Sequence, residues 1–234
     1  MEYLKNNILG VEQRIQNACI TAGRNRNDVA LLAVSKLHSV DKINAAFREG
    51  LTRFGENYIQ EAIDKIIHLD SIRGQIEWHL IGPLQSNKTR LAAEHFDWVQ
   101  TVDRLKIAQR LSEQRPQKLA PLNVCIQVNI SGEGTKSGVA PEQAFNLCKE
   151  VSLLPRLCLR GLMAIPEPGK DTLSLGDMQG LFKVIQTQLL AQNSAPQFDT
   201  LSIGMSDDLE DAIQAGSTMI RVGTAIFGSR ITKP

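Results

Sequence analysis

The stretch VALLAVSK, residues 29–36, is almost entirely apolar until it reaches Ser35 and Lys36. An apolar run of this length is typical of a strand buried on both faces, as in parallel α/β sheets. Side chains alternate along a strand, so Leu32, Val34 and Lys36 share one face. Two interpretations stay open from this segment alone. Lys36 either extends into solvent past the end of the strand, or it belongs to a site at the strand's carboxyl end, where α/β proteins place their functional groups.

The composition is that of an ordinary globular protein. The 234 residues suffice for one large α/β domain or two small ones, and 42% are hydrophobic and 22% charged. A net charge of +1 and an aromatic content of 5% argue against nucleic acid or an anionic membrane as partner. No apolar stretch approaches the roughly 20 residues that cross a bilayer, and the first ten residues do not resemble a signal peptide. The four cysteines lack metal-ligand spacing, so we expect reduced, mostly buried thiols in a cytoplasmic protein.

Strand and helix patterns alternate after a first helix at residues 4–22. Alternation of this kind implies parallel strands joined by crossover helices, and eight units in one chain indicate a (β/α)8 TIM barrel. The first helix is expected to pack outside the barrel or across its bottom, and residues 1–234 to form a single domain. An open doubly wound sheet is the competing fold, but no G-x-G-x-x-G turn follows the first strand. The predicted strands are 29–35, 52–55, 77–82, 97–102, 122–130, 158–165, 199–204 and 218–227; the helices between them are 39–50, 57–70, 85–95, 103–115, 141–154, 174–191 and 207–215.

Several of these helices carry boundary signals. Pro141 fits the first turn of its helix, since proline is tolerated there. Asp103 and Ser206 are predicted N-caps, and Gly23 and Gly216 are predicted to end the helices before them.

The ends of strands seven and eight carry the residue types of a phosphate site. Gly204 precedes Ser206 at the start of a helix, and Gly223 and Thr224 follow Arg221. Barrel enzymes often hold a phosphate between these two loops, because glycine lets backbone N–H groups approach closely and hydroxyls can donate. Ordinary turn chemistry is the alternative for each segment taken alone.

Strands one and eight are neighbours in a closed barrel, so a phosphate-bearing aldehyde could span Lys36 and this cradle. Pyridoxal 5′-phosphate is such a compound. Other candidates are weaker. We expect His79 to be a hydrogen-bonded core histidine and His38 a loop residue, and the chain has neither a hydrolase triad pattern nor a cluster of metal ligands.

Seven ordered blocks of the chain resemble the pyridoxal phosphate homeostasis protein family, of the YggS/PROSC type, and its bacterial YggS-like members above all. The resemblance runs along nearly the whole sequence. The blocks are Leu32–Lys36, Phe54–Tyr58, Trp78–Lys88, Lys136–Gly138, Arg160–Met163, Leu201–Asp208 and Arg221–Gly228.

The resemblance implies a fold-type III barrel like the N-terminal domain of alanine racemase, with pyridoxal 5′-phosphate as cofactor. Lys36 would hold the cofactor covalently as an internal aldimine, and Arg221 would face its pyridine nitrogen. Lys136 resembles the family's second lysine near the cofactor. The remaining residues implied for the pocket and the phosphate are Asn57, Ser202, Gly204, Met205, Ser206, Gly223 and Thr224.

One segment departs from the family pattern. Family members usually end in a short segment that finishes with Arg-Asp-Tyr, whereas this chain has residues 229–234, Ser-Arg-Ile-Thr-Lys-Pro, at that place. Any role of a C-terminal tyrosine or of paired lysines is therefore not carried over.

The resemblance implies a cofactor carrier in intracellular pyridoxal phosphate homeostasis, which buffers the cofactor or delivers it to apo-enzymes and so affects amino-acid metabolism. The alternative is a low-activity amino-acid racemase. A racemase needs acid/base groups on both faces of the substrate adduct. Alanine racemases take one of them from a second domain, for which few residues remain after strand eight. We therefore expect no efficient catalysis. We also expect a monomer, since no surface patch identified in the sequence argues for a stable oligomer.

Overall fold

Eight parallel strands close into a barrel in the order β1 to β8, which confirms the predicted fold. The computed structural model describes residues 2–130, 137–165 and 171–229. The strands are β1 (Ala30–Val34), β2 (Arg53–Glu56), β3 (Glu77–Leu80), β4 (Trp98–Val102), β5 (Leu122–Gln127), β6 (Leu157–Met163), β7 (Thr200–Ser202) and β8 (Met219–Val222). The helices are α1 (Glu2–Thr21), α2 (Val40–Arg48), α3 (Ile59–His68), α4 (Thr89–His95), α5 (Leu105–Gln114), α6 (Pro141–Ser152), α7 (Asp171–Ala191), α8 (Leu209–Gln214) and α9 (Thr224–Phe227).

Closure of the barrel occurs between the first strand and the last. Ala33 of β1 pairs with Phe54 of β2 on one side and with Val222 of β8 on the other. Parallel pairing puts the carboxyl ends of these strands at the same rim. The residues that follow β1, β2 and β8 therefore meet at one mouth of the barrel.

The core has two layers. Large apolar side chains fill the space between the strands and the surrounding helices, as expected for strands buried on both faces. A smaller cluster lies inside the barrel and consists of Leu32, Ile81, Trp98, Cys125, Met163 and Met219. Cys19, Cys125 and Cys148 are buried thiols and Cys158 is partly buried, as the sequence predicts.

Helix α1 packs on the outside of the barrel, against α8 and α9. Its buried side chains, which include Leu4, Ile8, Val11 and Ile15, recur at helical spacing along one face. Gly23 ends the helix region with a φ of 65°, and the N–H of Arg24 bonds back to the carbonyl of Cys19. Of the helices in the described ranges, none is both long enough and apolar enough to cross a membrane.

Three local predictions are wrong. The strand predicted at 218–227 ends at Val222, and residues from Thr224 onward form α9, because the backbone leaves the extended region at Gly223. Asp103 does not cap α5, since its carboxylate pairs with Arg104 at 2.7 Å. Ser206 does not cap α8 either, because the cap position of that helix is Asp208.

Candidate functional site

A cavity of about 300 Å³ opens at the carboxyl-terminal mouth of the barrel. It brings together side chains from the ends of β1, β2, β7 and β8, which are far apart in the sequence. Its volume lies at the lower end of the range for small-molecule sites. The lining residues are Val34, Lys36, His38, Asn57, Ile81, Ile165, Met205, Ser206, Asp207, Arg221, Gly223 and Thr224.

Most of the predicted site residues line this cavity, whereas Ser202 and Gly204 do not. Both are buried and accept hydrogen bonds from Arg221 of the lining, Ser202 from the guanidinium and Gly204 from the backbone N–H at 3.0 Å. Lys136 lies outside the described residues, as do Arg230 to Pro234 of the divergent C-terminal segment. A second chamber of about 320 Å³ adjoins the cavity and shares Asn57, Ile81 and Ile165 with it.

Lys36 lies in the turn directly after β1 and is half-buried. The residue before it continues the sheet, because the N–H of Ser35 donates to the carbonyl of Gly55 at 3.0 Å. The residue after it, Leu37, has a φ of 63°, an uncommon conformation for a side chain of this size. The backbone therefore turns sharply at Lys36 while the lysine side chain stays in the cavity.

The turn after β7 packs closely on the following helix. Gly204 has a φ of 92°, and a Cβ there would lie 2.4 Å from the Cβ of Ala212. Asp208 accepts a hydrogen bond from the N–H of Met205 at 2.5 Å. Arg14, from α1, donates to the carbonyl of Ser206 at 3.0 Å. Contacts from two helices therefore hold this turn in place at the edge of the cavity.

The turn after β8 lies against β1. A Cβ on Gly223 would lie 3.3 Å from the carbonyl oxygen of Val34, so a larger residue would crowd the end of β1. In the short helix α9, the N–H groups of Ile226 and Phe227 donate to the carbonyl of Gly223 at 3.0 and 2.9 Å, and those of Thr224 and Ala225 precede these first helical bonds. A glycine and a hydroxyl residue thus lie together at a helix start, where the sequence predicts a phosphate cradle.

Arg221 is a buried cation between the cavity and the barrel interior. Its guanidinium donates to the carbonyl and hydroxyl oxygens of Ser202 at 2.6 and 2.8 Å, and to the carbonyl of Ala164 at 2.8 Å. Its hydrogen-bond partners in the described ranges are neutral oxygens. Burial lowers the pKa of Arg221 to about 10, so the group still carries its charge at neutral pH.

A chain of hydrogen bonds leads from Arg221 into the barrel interior. The Ser202 hydroxyl donates to Oε1 of Gln100 at 2.7 Å, and Nε2 of Gln100 lies 3.0 Å from Nδ1 of His79. Because Oε1 of Gln100 accepts, its amide must donate, and Nδ1 of His79 must accept. His79 is therefore neutral with its proton on Nε2, which agrees with a pKa lowered by burial. The prediction of a hydrogen-bonded core histidine is confirmed.

Asn57 is held at the cavity by an unusually close backbone approach. A Cβ on Gly82 would lie 2.1 Å from the carbonyl oxygen of Asn57 and 2.6 Å from its Cα. The carbonyl of Gly82 accepts from the hydroxyl of Thr101 at 2.8 Å, which fixes the position of the glycine.

His38 lies in a loop, as the sequence predicts. It is buried and stacks on Phe227 at 4.9 Å between ring centroids.

Sequence reasoning missed a charged network beside Lys36. Lys65 is buried and donates to Glu56 at 2.8 Å and to Glu61 at 2.6 Å. Burial raises the pKa of Glu56, against the effect of the neighbouring ammonium. The sequence position of Lys65 could have revealed its burial, because its neighbours Ala62 and Ile66 belong to the buried face of α3. Within the described ranges, no group of three His, Cys, Asp or Glu side chains is arranged to hold a metal ion.

The closed barrel, with a lysine after β1 and glycine turns after β7 and β8, places the chain in the class of alanine racemase-like barrels. The family model for the alanine racemase N-terminal domain matches residues 11–231. A Haemophilus influenzae protein, named pyridoxal phosphate homeostasis protein, is 53% identical over 97% of this chain and 96% of its own length. The chain belongs to the pyridoxal phosphate homeostasis protein family, which confirms the resemblance described above.

Two solved structures agree with this assignment. A Bifidobacterium adolescentis protein superposes with a TM-score of 0.89 at 32% identity, over 97% of this chain and 95% of that chain. PipY of Synechococcus elongatus, solved with pyridoxal phosphate bound, has a TM-score of 0.76 at 35% identity, over 92% of this chain and 100% of that chain.

Proposed function

We propose that this protein holds pyridoxal 5′-phosphate reversibly as a Schiff base on Lys36 and acts in intracellular cofactor homeostasis. The observation that carries the proposal is the cavity, which joins an amine, a cation and a glycine-rich cradle in about 300 Å³. Pyridoxal phosphate bound to PipY, and the name shared by the close relatives, support the same ligand and role.

Each part of the cavity has a counterpart in the chemistry of that cofactor. The Lys36 amine would attack the aldehyde carbon, and one water would leave as the C=N bond forms. Gly223, Thr224 and the turn 202–206 would hold the phosphate through N–H and hydroxyl donors. Asn57 and Met205 would line the ring, as they line the cavity.

Arg221 would face the pyridine nitrogen. A guanidinium stays protonated, and it can only donate, so it favours an unprotonated ring nitrogen. When bound, the cofactor supplies an electrophilic aldehyde and an electron sink, and an unprotonated ring nitrogen weakens that sink. This property suits storage of the cofactor better than carbanion chemistry.

We infer that the protein has little catalysis of its own. The relatives are named for homeostasis rather than for a reaction, which supports a carrier. The racemase alternative is favoured only by the family model, whose namesake is an enzyme.

We also propose that the protein is a cytoplasmic monomer of one domain. Lys136 would lie near the bound cofactor, and apo-enzymes would receive the cofactor from this protein.

The first prediction is that Lys36→Ala abolishes covalent cofactor binding. Purified wild-type protein loaded with pyridoxal phosphate should show the visible absorbance of a lysine-linked cofactor, and borohydride should fix the label on the peptide that contains Lys36. The matched control is Lys106→Ala, since Lys106 is an exposed lysine of α5 away from the cavity.

Retention of the band in Lys36→Ala would refute the covalent assignment. The racemase alternative has its own assay, in which loaded protein is incubated with single L-amino acids and the products are separated on a chiral column. Turnover well above that of free cofactor would replace the carrier proposal with an enzyme.

A further inference from the structure

The network around Lys65 holds the backbone on both sides of Lys36. Lys65 is 5% exposed, and its ammonium donates to the carbonyl of Ser35 at 2.8 Å as well as to the two carboxylates. An ammonium has three N–H donors, so all of them are used. The Ser35 hydroxyl donates to Oε1 of Glu56 at 2.6 Å. Ser35 is thus fixed through its carbonyl and its side chain.

The residue after Lys36 is fixed from the same network. The N–H of Leu37 donates to Oε1 of Glu61 at 2.6 Å, the same oxygen that accepts from Lys65. Leu37 is 56% exposed, so packing contributes little to holding its left-handed backbone. The hydrogen bond to Glu61 offsets part of the cost of that conformation.

Stability alone does not account for this network. Buried ion pairs are often no more stabilising than apolar side chains of similar volume, because removing the charges from water is costly. Oε2 of Glu56 is also buried with no hydrogen-bond partner in the described part of the chain, which adds to that cost. The features that the network does fix are the backbone positions of Ser35 and Leu37, which flank the lysine.

We propose that Glu61 and Lys65, supported by Glu56, are positioning residues that aim the Lys36 amine into the cavity. The proposal rests on the function proposed above, since it assigns these residues to the lysine that binds the cofactor. None of the three side chains lines the cavity itself, so they act through the turn that carries Lys36. Misplacing a reacting group by about 1 Å can cost up to about a hundredfold in reactivity.

The test uses Glu61, which is partly exposed on α3 and tolerates alanine as a good helix former. Glu61→Ala removes the acceptor for the N–H of Leu37, whereas Glu61→Gln keeps an acceptor oxygen and removes only the charge. Glu12→Ala is the control, because it also breaks a carboxylate–cation pair, here with Arg26, beside the opposite end of β1.

Two readouts are needed. The first is the affinity for pyridoxal phosphate, which we expect to be about tenfold weaker in Glu61→Ala and near wild type in Glu61→Gln and Glu12→Ala. The second is the labelling rate of Lys36 by acetic anhydride in cofactor-free protein, followed across pH by peptide mass spectrometry. We expect Glu61→Ala alone to change this rate.

Equal Lys36 labelling in Glu61→Ala and Glu12→Ala would overturn the positioning role. Equal behaviour of Glu61→Gln and Glu61→Ala would also overturn it, because the effect would then come from charge. If wild-type protein takes up no pyridoxal phosphate, the proposed function fails, while the labelling rate still decides whether Glu61 positions Lys36.

Discussion

At the scale of single residues, the site depends on positions that have no functional group of their own. Gly82 is the clearest example, because its missing side chain allows the backbone of Asn57 to pass within contact distance. The loops after β2 and β3 therefore close against each other over the cavity. Glycine is needed here for space rather than for a positive φ, since Gly82 is not among the glycines with positive φ.

We predict that Gly82→Ala destabilises the fold and displaces Asn57 from the cavity. The added methyl would overlap the Asn57 carbonyl, and overpacking of this kind costs about 1–3 kcal/mol of unfolding free energy. Urea denaturation should show that loss, and an absorbance titration should show weaker retention of pyridoxal phosphate. Gly74→Ala is the control, since its Cβ would meet no atom within 4 Å. Equal effects of the two substitutions would contradict the close-approach argument.

At the scale of the elements, α1 is more than a cover for the outside of the barrel. Arg14 pairs with both carboxylate oxygens of Glu210, at 2.7 and 2.8 Å, and also holds the carbonyl of Ser206. This helix is thus tied to the turn that we assign to the phosphate. The hydrogen bond from Arg14 lowers the pKa of Glu210, so the pair contributes stability at neutral pH and loses it as the pH falls through that lowered pKa.

We predict that Arg14→Ala weakens cofactor retention more than it weakens the fold. Both partners are more than a third exposed, so the pair contributes only about 0.2–1 kcal/mol to unfolding free energy. That difference between wild type and variant should shrink as the pH falls below 4.5, in urea denaturations at several pH values. Arg26→Ala is the control, because it loses a similar pair with Glu12 far from the mouth. Unchanged cofactor retention in Arg14→Ala would contradict the role given to α1.

The order and type of the elements were predictable because apolar runs and helical spacing are local properties of the chain. The errors fall where local signals compete. After β8, apolar residues such as Ile226 and Phe227 continue the strand pattern in the sequence. In the structure they are buried in the short helix α9, which follows the turn at Gly223. Aspartate is a common N-cap residue, but the carboxylate of Asp103 accepts a hydrogen bond from Arg104 instead.

At the scale of the whole molecule, the barrel has no free edge among its strands, because β1 pairs with β8. Its two tryptophans lie in different layers of the core, Trp78 between strands and helices and Trp98 inside the barrel. Trp78 packs on Phe54 at 5.9 Å between ring centroids, and Trp98 stacks on His79 at 5.0 Å. Removing any one strand would break the closure on which the cavity depends.

We predict that the protein unfolds in urea as one cooperative unit. Tryptophan fluorescence and far-ultraviolet circular dichroism should give the same midpoint, since the barrel and its helices share one core. Trp98→Phe leaves Trp78 as the only tryptophan, so its fluorescence can be followed without that of Trp98. Distinct midpoints for the two probes would indicate two units and would contradict the single-domain assignment.

The connections across the barrel were not predictable from the sequence. Lys36 and the glycines were predicted at the mouth because each follows an apolar strand, and Arg221 because it lies near the end of one. The contact of Gln100 with Ser202 joins β4 to β7 and depends on how far the strands are staggered, which no local pattern encodes. Lys65 was missed for the same reason, since its three partners come from two other segments as well as its own helix.

The pairing of Ala33 with Val222 joins the first strand of the barrel to the last, so it forms only after the other strands have been synthesised. The ribosome makes Lys36 before Arg221 and Gly223, so a growing chain carries the amine before it carries the residues that we assign to the cofactor's ring and phosphate. Domains fold as units once their parts have been made. Under the proposed function, the cavity would therefore hold the aldehyde only after β8 has paired with β1.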